Sequence, residues 1–396
     1  MMKNRNILIS GAGIAGLTVA YFLKEYGFNP LVIEKSDALR DNGYMIDFFS
    51  SGLYVSERMG IIDELRRKDH QSTIIRQFSE KNKKSLNLNI SGFRNALKGR
   101  LFNFLRTDLV DVLYNRVKDK VEVRFSTSIS SVSQDQDGVH VVYENDQSEK
   151  FDLLIGADGI HSNVRNLTYQ VNEVEKYYLG YYVAGLDHKV PLGIRKGEVL
   201  SMLAPKHQIM TYTTGSGTST SLFIFQSERH KHLQTNEKVE VLKEEFRDFV
   251  SPVPEILDEA ANLNHLYFDE VSQIKIAGRW NKNRIVLLGD AAHCITLLSG
   301  QGASMAMTGA YILAEKLSKA QGDYTRAFLD YETDLRPLIE SMQKKAVANA
   351  ASYLPASRFK LWIRNLLAPI VFTRLFSPLL IKQLGAENYF AKEQAG

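Results

Sequence analysis

Hydrophobic positions fall into two rhythms along this chain. The first is the continuous apolar run expected of a parallel strand buried on both faces: "NILIS" at residues 6–10, "NPLVIEK" at 29–35, "KFDLLIGADGI" at 150–160 and "NRIVLLGDAAH" at 283–293. Between the first two, residues Ala15 to Tyr26 carry apolar side chains at helical spacing and stop at Gly27, a natural helix terminator. "DLVDVLYNRV" places Leu109, Val112, Leu113 and Val117 on one helical face, with Asp108 positioned to cap it. The second rhythm is alternation. "VEVRFSTSISSVSQDQDGVHVVYEND" reads as antiparallel strands with a turn at Asp137-Gly138, and residues 176 to 275 hold "YYLGYYVAG", "EVLSMLA", "QIMTYTT" and "TSLFIFQS". A helix follows from about Ala303 to Ser318, and the chain beyond 324 reads as helical, interrupted by Pro337, Pro355, Pro369 and Pro378.

These rhythms predict an α/β fold. A Rossmann-like nucleotide-binding domain, discontinuous over residues 1–72, 98–175 and 276–345, holds an inserted β-sheet domain of residues 73–97 and 176–275. A helical segment, 346–396, closes the chain. Composition changes this picture little. The chain has 396 residues, 44% hydrophobic and 24% charged, as in ordinary soluble proteins, and its net charge of +4 comes without a Lys/Arg run that would suit nucleic acid. Cys294 is the single cysteine, which excludes an internal disulfide and a redox-active pair and suits the cytoplasm. No secretory leader pattern opens the sequence, no apolar run is long enough to span a bilayer, and no Cys/His cluster has metal spacing. A monomer without integral membrane contact is expected.

Candidate chemistry begins at the first turn. Gly11-Ala12-Gly13-Ile14-Ala15-Gly16 stands between a strand and a helix, with Glu34 and Lys35 at the end of the next strand. Glycines there let the backbone approach a pyrophosphate at the helix N-terminus, and a carboxylate at position 34 accepts ribose hydroxyls while repelling a 2′-phosphate. FAD or NAD fits this first site. Two later turns bear on the choice. Asp158-Gly159, followed by Ser162 and Arg165, ends one strand, and Gly289-Asp290 ends another, where a carboxylate can hold ribityl hydroxyls. Gly300-Gln301-Gly302-Ala303 then opens a helix whose N-terminus can stabilise a reduced flavin's negative charge. His293 invites reading as a base, but a histidine packed at a helix start explains it better.

Taken together, these three motifs resemble the single-component FAD-dependent monooxygenases of the para-hydroxybenzoate hydroxylase type, over nearly the whole chain. Within that group the chain is most similar to the tetracycline-inactivating flavin monooxygenases, through "RDNGYMID", "FDLLIGADGIHS", "GRWNKNRIVLLGDAAHC" and "LSGQGASMAMTGAYILAEKLSKAQGDYTRAFLDYE". It departs where Ile295, Thr296 and Leu297 stand in place of a customary proline, and where Ser304 replaces a common Asn. The resemblance implies FAD as cofactor and NADPH as transient co-substrate. It also implies oxygen transfer from O2 through a flavin C4a-hydroperoxide, with a tetracycline as substrate. It places Arg106 and Asp47 near FAD and Arg40 near the nicotinamide nucleotide, and requires no acid or base from the protein. The substrate, a polycyclic or aromatic compound, would sit under the sheet domain, with Met210, Tyr212, Phe223 and Phe225 as candidate contacts. Hydroxylation of another aromatic or polyketide, and a flavoprotein that is no monooxygenase (an isoprenoid reductase or a flavin-bound sensor), are the alternatives. The apolar tail with Arg358, Lys360, Arg364 and Arg374 beside Trp362, Leu366, Leu367 and Ile370 is expected to dock its apolar face across the domains, with a membrane-surface helix as the alternative.

Overall fold

A computed structural model describes residues 2–40, 43–215, 217–228, 233, 235–260, 266–296, 299–371 and 389–390. The chain opens with β1 (Asn6–Ser10), α1 (Ile14–Glu25) and β2 (Asn29–Ile33). β3 (Met45–Phe49), α2 (Ser51–Met59) and α3 (Ile62–Lys68) follow. The hairpin β4 (Ile74–Ser79) and β5 (Lys84–Asn89) and the short α4 (Ser91–Ala96) lead to β6 (Leu101–Leu105) and α5 (Arg106–Val117). Next come β7 (Glu122–Arg124), the meander β8 (Ile129–Gln134), β9 (Val139–Tyr143) and β10 (Ser148–Phe151), then β11 (Leu153–Gly156) and α6 (Asn163–Thr168). Four long strands come after: β12 (Val174–His188), β13 (Glu198–Ala204), β14 (His207–Gly215) and β15 (Thr218–Gln226). Helices α7 (Thr235–Glu245) and α8 (Val253–Ala260) precede β16 (Tyr267–Ile276). β17 (Asn281–Lys282), β18 (Ile285–Leu287), α9 (Asp290–His293), α10 (Gly302–Lys319), α11 (Tyr324–Tyr353) and α12 (Arg358–Val371) complete the order.

The continuous apolar runs form a six-stranded sheet, β17-β18-β11-β1-β2-β7, parallel but for its β17 edge. Ile7, Leu8 and Ile9 are fully buried in it, which is why no alternation marks them. The alternating segments build a seven-stranded sheet, β16-β12-β15-β14-β13-β4-β5. One face of it packs under α7 and α8 through Phe223, Phe225, Phe246, Phe249 and Leu257. The other face presents Tyr181, Val183, Leu222, Ile224 and Val271 toward Tyr44 and the end of α11.

Several local expectations need correction. α5 begins at Arg106, two residues earlier than read, and Asp108 caps it as expected but from inside the first turn, where Oδ2 accepts from the Leu105 N–H at 3.2 Å. Pro337 and Pro369 do not interrupt helices; each lies within one, α11 and α12. α11 is itself the element that joins the sheets: Tyr331, Leu335 and Ile339 pack in the core of the first and Ala350 and Leu354 against the second. α12 docks on the edge hairpin through polar groups, with Arg358 to Glu80 at 2.7 Å, Gln77 to Asn365 at 2.8 Å, and Leu361. Its apolar residues Phe359, Trp362, Leu366, Leu367 and Ile370 face outward, contrary to the docking direction expected. Arg374 and Pro378 lie outside the described residues. Tyr389 and Phe390 return to the first sheet's side, where Phe390 stacks on Tyr54 with ring centroids 4.2 Å apart.

Candidate functional site

The glycine turn holds its shape by steric necessity. A Cβ at Gly16 would lie 1.9 Å from the Gly11 carbonyl oxygen, and one at Gly11 would lie 2.6 Å from that of Ala157, with Gly11 at φ +107°. Neither glycine tolerates a side chain. At Gly13 and Gly302 a Cβ would meet nothing within 4 Å, so both backbones border open space. Gly13 and Gln301 are the N-caps of α1 and α10, and neither helix has a side-chain cap. Both helix starts therefore offer N–H groups and the positive end of a dipole with no side chain capping them. Glu34 braces the turn: its carboxylate accepts from the Ala12 N–H at 2.9 Å and from the Ser36 N–H at 3.1 Å. Lys35 and Arg40 are exposed beside it. Ile14 and Ala15 are buried in the first turn of α1.

The second and third motifs converge on this place. Asp158 organises its own turn, accepting from the Ser162 hydroxyl and from the Val164 N–H at 3.0 Å. Arg165 donates to the Ile160 carbonyl at 2.7 Å and to the Ala291 carbonyl at 3.0 Å, tying that turn to α9. Gly289 has φ +63°, and a Cβ there would come within 3.1 Å of the Ala15 methyl. Ala303 lies in the first turn of α10, and Ser304, next to it, donates to the Phe49 carbonyl at 2.8 Å.

Asp47 and Asp290 keep accessible surface while sitting deep between elements, which is the signature of a crevice wall. Burial pushes both carboxyls above the usual range. Asn103 and Arg94 offset this at Asp47, and Arg106 and Cys294 do so at Asp290. Above them stands Tyr44, its ring 5.3 Å from Tyr267 of the large sheet, and desolvation pushes its hydroxyl up to about 12. The Tyr212 hydroxyl accepts from the Met45 N–H, and register puts Met210 and Tyr212 on the face of Leu222 and Thr220. His161 reaches Asp269 at 3.1 Å nearby.

Met210 and Tyr212 thus face the crevice side. Phe223 and Phe225 do not: both are fully buried on the opposite face, edge-on to Phe246, and their expected substrate contact is set aside. The reason is register, since Phe223 opposes Ile209 and Phe225 opposes His207, one residue out of step with Met210 and Tyr212. Tyr44, Tyr267 and Asp269 were not singled out in the sequence; Tyr44 lies inside "RDNGYMID", one residue after its glycine, and that was the available signal. His293 is buried between Trp280 and Tyr331, and desolvation holds its imidazole down at about 4, so it is neutral packing and no base. The described residues offer no group of three or more metal ligands.

The donors present fit FAD: two uncapped helix starts for its phosphates, Glu34 for a ribose, and Asp290 beside Arg106 for the remainder. Comparison with known proteins agrees. The sequence matches the FAD binding domain family over residues 4–346. It is 35% identical to a flavin-dependent monooxygenase from an unknown prokaryotic organism, over 89% of this chain and 91% of that one. Identity is 34% to a flavin-dependent monooxygenase of Legionella longbeachae serogroup 1, with the same coverage. Among solved structures, tetracycline destructase Tet(55) superposes with a TM-score of 0.84 at 28% identity, covering 98% of this chain and 99% of that one. Tetracycline destructase Tet(51) gives 0.80 at 29% identity, covering 92% and 96%. The chain belongs to the FAD binding domain family and is an FAD-dependent monooxygenase.

Proposed function

We propose that this enzyme uses NADPH and O2 to hydroxylate a tetracycline and so inactivate it. The observation that carries the reading is the likeness to Tet(55) over 98% of the chain. When bound, FAD would supply the redox chemistry that links oxidation of NADPH to transfer of one oxygen atom from O2 to the substrate, the other atom ending as water. The chain's own residues hold and orient. The Gly11–Gly16 turn and α1 receive the pyrophosphate, Glu34 a ribose and Asp290 the ribityl chain. Arg106 and the start of α10 balance negative charge on the reduced ring. Arg40 meets the nicotinamide nucleotide at the rim. Met210, Tyr212 and Tyr267 line the substrate side, and the Tyr44–Tyr267 contact narrows the crevice against water.

The test is to mix holoenzyme, NADPH and tetracycline under air. Loss of the tetracycline chromophore with gain of one oxygen atom by mass spectrometry supports the reading. Unchanged tetracycline with brisk, coupled oxidation of another phenol or polyketide moves the substrate while keeping the monooxygenase.

A further inference from the structure

A second cavity lies away from the crevice. Its volume is about 530 Å3, and it is bounded by the end of β16, by Tyr177 of β12, by Trp280, by α9 and by the middle of α11. None of Gly11–Gly16, Glu34, Arg106, Asp290 or Gly300–Gly302 lines it. It shares only α9 with the crevice: Asp290 opens on the crevice, while Ala292 and His293 line this cavity. A volume of that size suits a small organic ligand.

Three features of its wall define what would fit. Gln273 is fully buried there. Its Nε2 donates to the Gln343 carbonyl at 2.9 Å, but its Oε1 has no hydrogen-bond partner. A buried acceptor left so is unusual in a folded protein and is relieved by a donor from a ligand. The accessible apolar wall is formed by Tyr177 and Val347, with Ile276, Ile339 and Trp280 buried beneath it. The rim is cationic. Lys275 lies 4.6 Å above the Tyr177 ring and Lys344 is exposed on α11, whereas Arg336 is already held by Glu332 at 2.8 Å. Glu340 is the single acid among the lining residues.

We propose that this cavity is a binding site, separate from the substrate crevice, for a flat organic anion bearing an N–H or O–H donor. The donor meets Gln273 Oε1, the ring lies against Tyr177 and Val347, and the anionic group pairs with Lys275 and Lys344.

The test uses holoenzyme and the probe 8-anilinonaphthalene-1-sulfonate, which joins a flat ring system, an amine N–H and a sulfonate. Calorimetry should find one site per chain, undisturbed by saturating tetracycline. Charge reversal in the double variant Lys275→Glu, Lys344→Glu should weaken it by about tenfold or more, since hydrogen bonds to charged groups carry energies of that order. Gln273→Leu should weaken it several-fold, and the uncharged N-phenyl-1-naphthylamine should bind the wild type as weakly as the sulfonate binds the double lysine variant. Probe affinity unchanged in the lysine variant, or stoichiometric displacement of the probe by tetracycline, overturns the proposal. The lysines are at the rim, so that variant keeps its fold and decides the matter even if Gln273→Leu does not express.

Discussion

At single residues, two kinds of strain meet in the crevice. Gly16 has no space for a methyl group, because the Gly11 carbonyl would stand 1.9 Å away. Gly16→Ala is therefore expected to purify without FAD and to lose about 1–3 kcal/mol of stability through overpacking; the flavin absorbance-to-protein ratio and a urea melt check both. Asp290 carries the opposite strain. Its carboxyl titrates higher in the folded chain than in the unfolded one, so its ionisation at neutral pH opposes folding of the apoprotein. Asp290→Asn should raise the melting temperature of the apoprotein while weakening FAD retention, and a melting temperature that falls in both forms would refute the assignment. His293 gives a pH dependence. Its folded value of about 4 lies below the ordinary 6.5. Below 6.5 the unfolded chain takes a proton that the folded chain refuses, so the contribution is fully present above 6.5 and lost as pH falls toward 4. The span is worth roughly 3 kcal/mol. His293→Phe should flatten stability between those limits, measured by denaturant midpoint against pH. Much of this site could be read from the sequence, since Gly11 to Gly16, Glu34 and Asp290 announce themselves by residue type and spacing. Tyr44 and Tyr267 could not: they lie 223 positions apart by their numbering and meet only because β3 and β16 come to face each other.

Among elements, the large sheet shows where reading by pattern stops. Alternation in "SLFIFQS" correctly separates Phe223 and Phe225 from Leu222 and Ile224, but nothing in the segment says which set faces helices and which faces the crevice. That is settled by α7, α8 and the stretch between them, whose Phe246 and Phe249 claim one side. Phe223→Ala should consequently cost about 3–5 kcal/mol of stability, as for other large buried aromatics, and leave the KM of the folded remainder unchanged. Tyr212→Phe should do the reverse, shifting KM with little loss of stability, because its ring stays buried while its hydroxyl leaves the Met45 N–H. Steady-state kinetics and chemical denaturation on the two variants separate the roles. The prolines teach a similar lesson about helices. Pro337 was expected to break one, yet α11 runs through it, held by burial of Tyr331, Leu335 and Ile339 on one side of the molecule and Ala350 and Leu354 on the other. Tertiary packing outweighs one missing hydrogen bond.

For the molecule as a whole, α11 is the beam between two sheets, and one side chain joins three parts of it. Gln343, 5% exposed, donates from Nε2 to the Ile274 carbonyl and to the Cys294 carbonyl, both at 2.9 Å, while its own carbonyl accepts from Gln273. Ile274 belongs to the large sheet. Cys294 begins the segment that runs from α9 to Gly300-Gln301-Gly302, the start of the helix proposed above to face the flavin. The side chain thus fixes the height of that segment relative to both the beam and the roof. In Gln343→Leu the Ile274 carbonyl loses this donor, at about 1–3 kcal/mol, and the Cys294 carbonyl keeps only the Ile274 N–H at 3.2 Å. The Gly11–Gly16 turn, Glu34 and Asp290 are untouched, so FAD content should stay at the wild-type level. The helix start and the roof would no longer hold a fixed spacing, and water would reach the flavin more easily. The expected outcome is NADPH oxidation that persists while product per NADPH falls and hydrogen peroxide rises. Gln343→Glu, which keeps the length but loses the amide donor, should uncouple as well, whereas variants of exposed α11 positions such as Lys344 should remain coupled. A Gln343→Leu enzyme that is fully coupled would show that the beam merely links the two sheets and does not set the geometry between them.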